Sequence, residues 1–179
     1  MDLLRVIGCG VEVNTKRKED MVPFDMAYLK WAMIIICTDA DEDGFQIRTL
    51  LLTLFYRLLP SLINAGKIYI AESPLFEITP QKGDTLFAYN EPEKAKIVRE
   101  LEEKGMKYTL QRSKGLGENE PDMMWQTTMN PETRRLIKVM EADREKTEYI
   151  FETLLGDDLD ERKRFIAAYG KEYIAEADI

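Results

Sequence analysis

The sequence contains no histidine. Ser-His-Asp and Cys-His catalysis are therefore excluded, as is any His-ligated zinc site. Cysteine is almost missing too. Cys9 and Cys37 do not make a disulfide framework, and Cys37, inside an apolar run, is expected to be a small buried residue. No apolar stretch is long enough to span a bilayer. The opening residues, MDLLRVIGCG, have neither the basic n-region nor the small-residue cleavage site of a signal peptide, so a cytoplasmic location is expected. Nor is there an excess of basic residues. A formal net charge of −8 argues against an autonomous, strongly basic DNA-binding module, while leaving room for DNA held by a local patch or a larger assembly. Any metal here is expected to be a hard cation held by oxygen.

What is present is enough apolar residue for a core, 45% of 179 residues, which suits one medium domain or two small ones. Residues 2–13 predict a short helix stopping near Gly8 and Gly10. The following NTKRKEDMVPFD reads as a solvated loop, with Lys16, Arg17 and Lys18 as an alternative phosphate-contacting patch. AMIIICT, residues 32–38, predicts a strand buried on both faces. A helix follows from about Phe45 to Ala65, bent or shortened at Pro60 and closed by Gly66. KIYIAES and LFEIT predict two further strands, giving one strand–helix–strand unit with a right-handed crossover. GDTLFAY is expected to pair with LFEIT as a hairpin. The helix from Asn90 to Gly105 is well marked, with Asn90 as cap, Pro92 in the first turn and Glu93 at the capping-box position. KYTLQR predicts a strand, SKGLGENEP a loop, and Pro121 to Met129 a helix. RRLIKVM is ambiguous between strand and helix, and two helices are expected over 142–155 and 158–176. The strand–helix pattern stops near 80–90, so the expected division is 1–85 and 86–179.

At the end of the first apolar run stand Asp39, Asp41 and Asp43, with Glu42 among them. Like charges at that range repel, so the cluster calls for a reason. Where the chain stays extended, Asp39 and Asp41 point to one side, at the strand edge where open α/β sheets bind ligands. Mg²⁺ takes one or two carboxylates, keeps several waters and often shares phosphate oxygens, so the spacing suits Mg²⁺ with a phosphate substrate, and Asp43 or Gly44 would open the helix. Three other readings compete. An EF-hand loop matches at its first half, but its twelfth position is Leu50 where a bidentate Glu is needed. A haloacid-dehalogenase-like phosphatase shares DEDG after an apolar strand, but the later GDDLD follows a helical segment. A polar turn with Asp43 as helix cap needs one aspartate, not three.

Taken in order, IIICTDADEDG…IRTLLLTLFYRLLPSLINAGKIYIAESPLFEI, LQRSKGLGE and WQTTMNPETRRL closely resemble the B subunits of bacterial type IIA DNA topoisomerases, those of DNA gyrase and topoisomerase IV. The resemblance runs from IGCG to LLGDDLDERKRFI. It implies an α/β fold: a partial Toprim domain, a Rossmann-like parallel sheet with flanking helices, followed by a mainly helical α+β tail. It also implies a part in DNA cleavage and religation. On that resemblance Asp39 and Asp41 bind Mg²⁺ (Mn²⁺ or Ca²⁺ substituting in binding) beside the scissile phosphate, and Asp43 supports the site as a third catalytic aspartate. The attacking tyrosine belongs to the partner A subunit, so none of the eight tyrosines here is expected to be the nucleophile. The SKGLGEN loop matches the family's K-G-L-G-E motif. Gly115 and Gly117 let the backbone approach a ligand, Lys114 offers a point charge for phosphate, Arg112 lies just before, and Arg48 sits near the metal edge. These five are the expected contacts to double-stranded DNA.

Three departures qualify the expectation. The family's E-G-D-S-A motif, which carries the catalytic glutamate, is not in this sequence. DGSHI is DGFQI, with Phe45 and Gln46 for serine and histidine. The aromatic before K-G-L-G-E is Ser113. The ATP-binding domain of the full-length protein is also missing, and no P-loop replaces it. The chain is thus expected to be a fragment or truncated homologue, inactive by itself and prone to self-association through apolar sheet surface. The alternative is a non-catalytic scaffold binding DNA or the A subunit.

Overall fold

A computed structural model describes residues 2–12, 22–113 and 115–173. The basic residues Lys16, Arg17 and Lys18, Lys114 and the end of the last expected helix, 174–176, lie outside the described residues. In chain order the elements are α1 (Asp2–Ile7), β1 (Ile34–Ile36), α2 (Glu42–Leu58), α3 (Pro60–Asn64), β2 (Ile68–Ala71), β3 (Phe76–Pro80), β4 (Leu86–Ala88), α4 (Glu91–Glu103), β5 (Tyr108–Arg112), α5 (Pro121–Met124), β6 (Leu136–Lys138), α6 (Arg144–Leu155) and α7 (Leu159–Tyr173). Short 3₁₀ turns occupy Met26–Tyr28 and Leu116–Glu118, and a π turn Trp125–Met129. The mixed α/β class read from the sequence is what is found. One three-stranded sheet has the order β1-β2-β6 and the other β4-β3-β5. The ambiguous RRLIKVM segment is a strand. Val139 N–H bonds Ile68 O and Glu72 N–H bonds Arg135 O, so β6 runs antiparallel to β2.

The chain divides into two compact units. The first comprises Met1–Ile34, Thr49–Ile68 and Lys138–Ile179. Its core is Ile7, Cys9, Val11, Phe55, Leu59, Leu62, Ile63 and Ile68. The expected bend at Pro60 is a full break. Leu59 leaves the helical region (φ −142, ψ 44) and Pro60 starts α3, where its missing N–H costs nothing. Leu59 has no side chain with which to cap α3, and Glu12 does so from a distance, accepting from the Ser61 N–H at 2.8 Å and its hydroxyl at 2.9 Å. Gly10, at φ +74, is obligatory: a Cβ there would lie 2.3 Å from the Pro23 carbonyl oxygen. In the helical hairpin of the same unit, Asp143 caps α6 by accepting from the Lys146 N–H, and Phe151 stacks on Tyr56 with ring centroids 4.2 Å apart.

The second unit comprises Ile35–Arg48 and Tyr69–Ile137. β3 is its central strand, antiparallel to β4 (Phe76 opposite Ala88) and to β5 (Phe76 opposite Arg112, Pro80 opposite Tyr108). The core holds Phe76, Ile78 and Ala88 from the sheet and Leu101 from α4, with Ile97, Val98 and Met106 against it. The Asn90 cap forms as the sequence predicts, while the returning Glu93 bond goes one residue further back than in a standard capping box. Asn90 accepts from the Glu93 N–H at 2.8 Å, and Glu93 reaches back to the Tyr89 N–H at 3.2 Å. Arg135 adds a 2.8 Å ion pair to Glu93 and lies 3.8 Å from the Tyr89 ring centroid.

The Arg135 hydrogen bond, aided by the Tyr89 N–H and opposed by burial, holds the Glu93 carboxyl below its ordinary 4.5. A carboxyl depressed in the folded state stabilises it above the unfolded value, and that contribution fades as pH falls through the folded one. The melting temperature of Glu93→Gln should therefore lie below that of the parent at pH 7, with the gap closing below pH 4.5. A gap independent of pH would mean that the pair does not form. Both side chains are part-exposed, so the gap is small.

Two expectations need correction. The first strand is not buried on both faces: only Ile36 is buried, with Ile34 and Ile35 partly so. Cys37 is exposed. Burial alternates here, with Ile36 and Thr38 inside, so Cys37 between them points to the open side. Burial still raises its thiol pKa against a hydrogen bond from Ser73.

Candidate metal and nucleic-acid site

All the geometry here lies within the second unit. Beyond Ile36 the chain carries a buried Thr38, a half-buried Asp39 and an exposed Asp41, then enters α2 at Glu42. Asp41 caps that helix: its Oδ1 accepts from the Gly44 N–H at 2.8 Å, and its carbonyl accepts from the Phe45 N–H at 2.9 Å. This corrects the expectation that Asp43 or Gly44 opens the helix. The Asp41 side chain reaches forward three residues to an N–H of the first turn, which is what a cap does. Asp43 is exposed in the first turn, where its charge favours the helix N-terminus.

Gly44 is buried for a reason that the sequence did not disclose. A Cβ there would fall 2.1 Å from the Asp39 carbonyl oxygen and 2.9 Å from its nitrogen. The helix start thus presses directly on the Asp39 backbone, and only glycine permits it.

The two motifs meet at Asp39. Its Oδ1 accepts from the Leu116 N–H at 2.6 Å, across 77 residues of sequence. A Cβ on Gly115 would sit 3.4 Å from Asp39 Oδ2. The loop is tied at both ends: the Ser113 N–H donates to Leu75 O at 2.8 Å, and the Ser113 hydroxyl donates to Asn119 Oδ1 at 3.1 Å. Serine at 113, a departure from the expected aromatic, thus has a local partner. Gly117 is exposed with open space beside its Cα. Arg112 ends β5 and is exposed.

Arg48 projects from α2 into a polar niche. It donates to Thr38 Oγ1 at 3.4 Å and lies 5.1 Å from the Phe45 ring centroid, so Phe45 steadies the guanidinium by a cation–π contact. Its Nε is buried without a partner. Burial lowers the Arg48 pKa, while Cys37 and Glu72 nearby raise it. Sequence reasoning placed Arg48 at the edge but missed Thr38, Ser73 and Glu72, which have no motif signature.

The donor chemistry suits a hard cation in part. Asp39 and Asp41 each have one carboxylate oxygen taken by a backbone N–H, and each retains a second. Among the described residues no group of three or more acidic or cysteine side chains converges to hold a metal. Two carboxylates are what Mg²⁺ usually takes when water and phosphate oxygens supply the rest.

The strand-end aspartates and the glycine loop lie in two segments that each match a known family. Residues 5–73 match the Toprim domain family and residues 105–167 match the carboxyl terminus of the DNA gyrase B subunit. The DNA gyrase B subunit of Thermotoga maritima is 44% identical over 178 residues, 99% of this chain and 26% of that protein. Its Archaeoglobus fulgidus counterpart is 46% identical over 170 residues, 95% of this chain and 25% of that protein. The Staphylococcus aureus counterpart is 46% identical over 143 residues, 80% and 22% respectively. The chain is thus similar to DNA gyrase B subunits along most of its own length, and spans about a quarter of the length of these relatives. No helix among the described residues is long and apolar enough to cross a membrane.

Proposed function

We propose that this chain is the metal-binding part of the DNA cleavage–religation core of a type II DNA topoisomerase, gyrase or topoisomerase IV. The observation that carries the reading is the Leu116 N–H bond to Asp39, which joins the strand-end aspartates to the K-G-L-G-E loop. Asp39 and Asp41 hold Mg²⁺ through their free oxygens, and Asp43 adds negative charge from the first turn of α2. When bound, the metal supplies charge stabilisation for the scissile phosphate and the leaving oxygen. Arg48, Arg112, Lys114, Gly115 and Gly117 face the DNA backbone, the glycines by letting the main chain approach and the cations by pairing with phosphate. Arg48 has a specific qualification: its orphan buried Nε lacks an acceptor that an oxyanion would provide. The nucleophilic tyrosine comes from the A subunit, ATP is used by the full-length B subunit, and the setting is the cytoplasm.

Asp41→Asn in the full-length protein, assembled with its A subunit, should abolish Mg²⁺-dependent cleavage and supercoiling or relaxation. Normal activity would sink the proposal. A second reading, a non-catalytic scaffold for DNA or the A subunit, is favoured by the lack of a three-carboxylate group among the described residues. It predicts that Lys114→Ala weakens DNA binding and that Asp41→Asn changes nothing. Self-association of the chain has support in the exposed Leu3, Val6, Trp31 and Met33 of the first unit, and sedimentation velocity would read it against the 20.8 kDa monomer.

A further inference from the structure

We propose that the backbone amide of Leu116 is a positioning group for the Asp39 carboxylate, so that the glycine loop sets how well this strand end holds a divalent cation. The inference rests on the cation reading above. Three observations carry it. Leu116 N–H fixes Asp39 Oδ1 at 2.6 Å. The Gly115 backbone lines the same carboxylate: an added Cβ would lie in ordinary contact with it, 3.4 Å from Oδ2 and 3.7 Å from Cγ. The Gly44 Cα presses on the Asp39 main chain from the helix side, where a Cβ would stand 2.1 Å from its carbonyl oxygen. Backbone and carboxylate of Asp39 are thus held from two directions. One oxygen is committed to the loop and the other is presented in a single orientation.

The loop is itself anchored, by Ser113 to Leu75 and to Asn119, and by the Asn119 N–H to Leu116 O at 3.4 Å. The amide is therefore in place before a cation arrives, and ordering the carboxylate is not charged to cation binding. Because the donor is a main-chain N–H, no side-chain substitution in the loop reveals it unless the N–H itself is removed or the carboxylate is pushed aside.

Leu116→Pro does the first with little collateral change. Leu116 is the first residue of the 3₁₀ turn, and Gly115 before it sits at φ −67, ψ 153, the conformation that a residue preceding proline prefers. Proline also fits the first position of a helical turn. Leu116→Ala removes the same side chain and keeps the N–H. Mn²⁺ affinity of the whole chain, by calorimetry, should fall about 10- to 100-fold in Leu116→Pro, as for lost outer-shell partners, and should stay near that of the parent in Leu116→Ala. Without metal, hydrogen exchange at the Leu116 amide should be slow in the parent and fast in Asp39→Ala. Equal Mn²⁺ affinity of the proline and alanine variants would overturn the inference while leaving the cation site standing. Parent binding that survives Asp39→Asn/Asp41→Asn would overturn the cation reading itself, and the inference with it. Should Leu116→Pro not fold, the exchange comparison decides alone: equally slow exchange of the Leu116 amide in the parent and in Asp39→Ala overturns the inference.

Discussion

Gly44→Ala should lower the unfolding free energy by about 3 kcal/mol, the upper end of what overpacking costs, and shift the urea midpoint accordingly. The reason is specific. The atoms that an added Cβ would meet, at 2.1, 2.7 and 2.9 Å, are all main-chain atoms of Asp39, and no rotamer change can clear them. Gly117→Ala is the matched control in the neighbouring motif: nothing lies within 4 Å of its Cβ position, so its stability should stay within about 0.5 kcal/mol of the parent. Relief of the Gly44 clash must displace Asp39, so the variant should also bind Mn²⁺ more weakly at temperatures where it remains folded. Equal midpoints for Gly44→Ala and Gly117→Ala would mean that α2 does not start against the Asp39 carbonyl.

The second large effect separates the cap that Asp41 forms from the cation-ligand role proposed for it. As helix cap it needs an acceptor oxygen, and asparagine supplies one. As cation ligand it needs its charge, and asparagine does not. Asp41→Asn should therefore keep its stability within about 1 kcal/mol, the size of a lost charge–dipole term, whereas Asp41→Ala loses about 1 kcal/mol more with the cap. Divalent-cation affinity should collapse in both. Removing one charge of a close pair forfeits about 4 kcal/mol at an effective dielectric near 20, more than about a hundredfold in Kd. If the aspartate were only a cap, Asp41→Asn would bind Mn²⁺ like the parent. The comparison decides between a functional carboxylate and a polar turn.

Much of the fold was legible because local chemistry and tertiary demand agree. Asn90 and Glu93 stand at capping-box spacing before an amphipathic run; Asn90 caps the helix and Glu93 reaches back to the Tyr89 N–H. LFEIT and LFAY alternate across a glycine turn, and β3 pairs with β4. The strand-to-helix passage through the aspartates was legible from the change of hydrophobic period. What escaped is what has no residue signature. The Leu116 donor is a main-chain N–H, identical in every non-proline residue, and its acceptor lies 77 residues away. Gly44 looked like a helix start, but its burden is a backbone crossing that no one-dimensional pattern records. The capping role went to Asp41 rather than Asp43, since three aspartates at a period of two all satisfy the cap preference and only the turn geometry chooses. Phe45, read as a departure, packs with Arg48. Arg48 was identified because it follows the motif by one helical turn, and its partners Thr38, Cys37 and Glu72 come from a strand end and a loop that meet only in the fold.

The central claim, that Asp39 and Asp41 hold a divalent cation shared with a DNA phosphate, is tested most directly by calorimetric titration of the chain with Mn²⁺, Mg²⁺ and Ca²⁺, with and without a short DNA duplex, beside Asp39→Asn/Asp41→Asn. Mn²⁺ and Mg²⁺ binding should tighten with DNA and vanish in the double variant. Binding that persists in the double variant, or that is tight and selective for Ca²⁺, would contradict it.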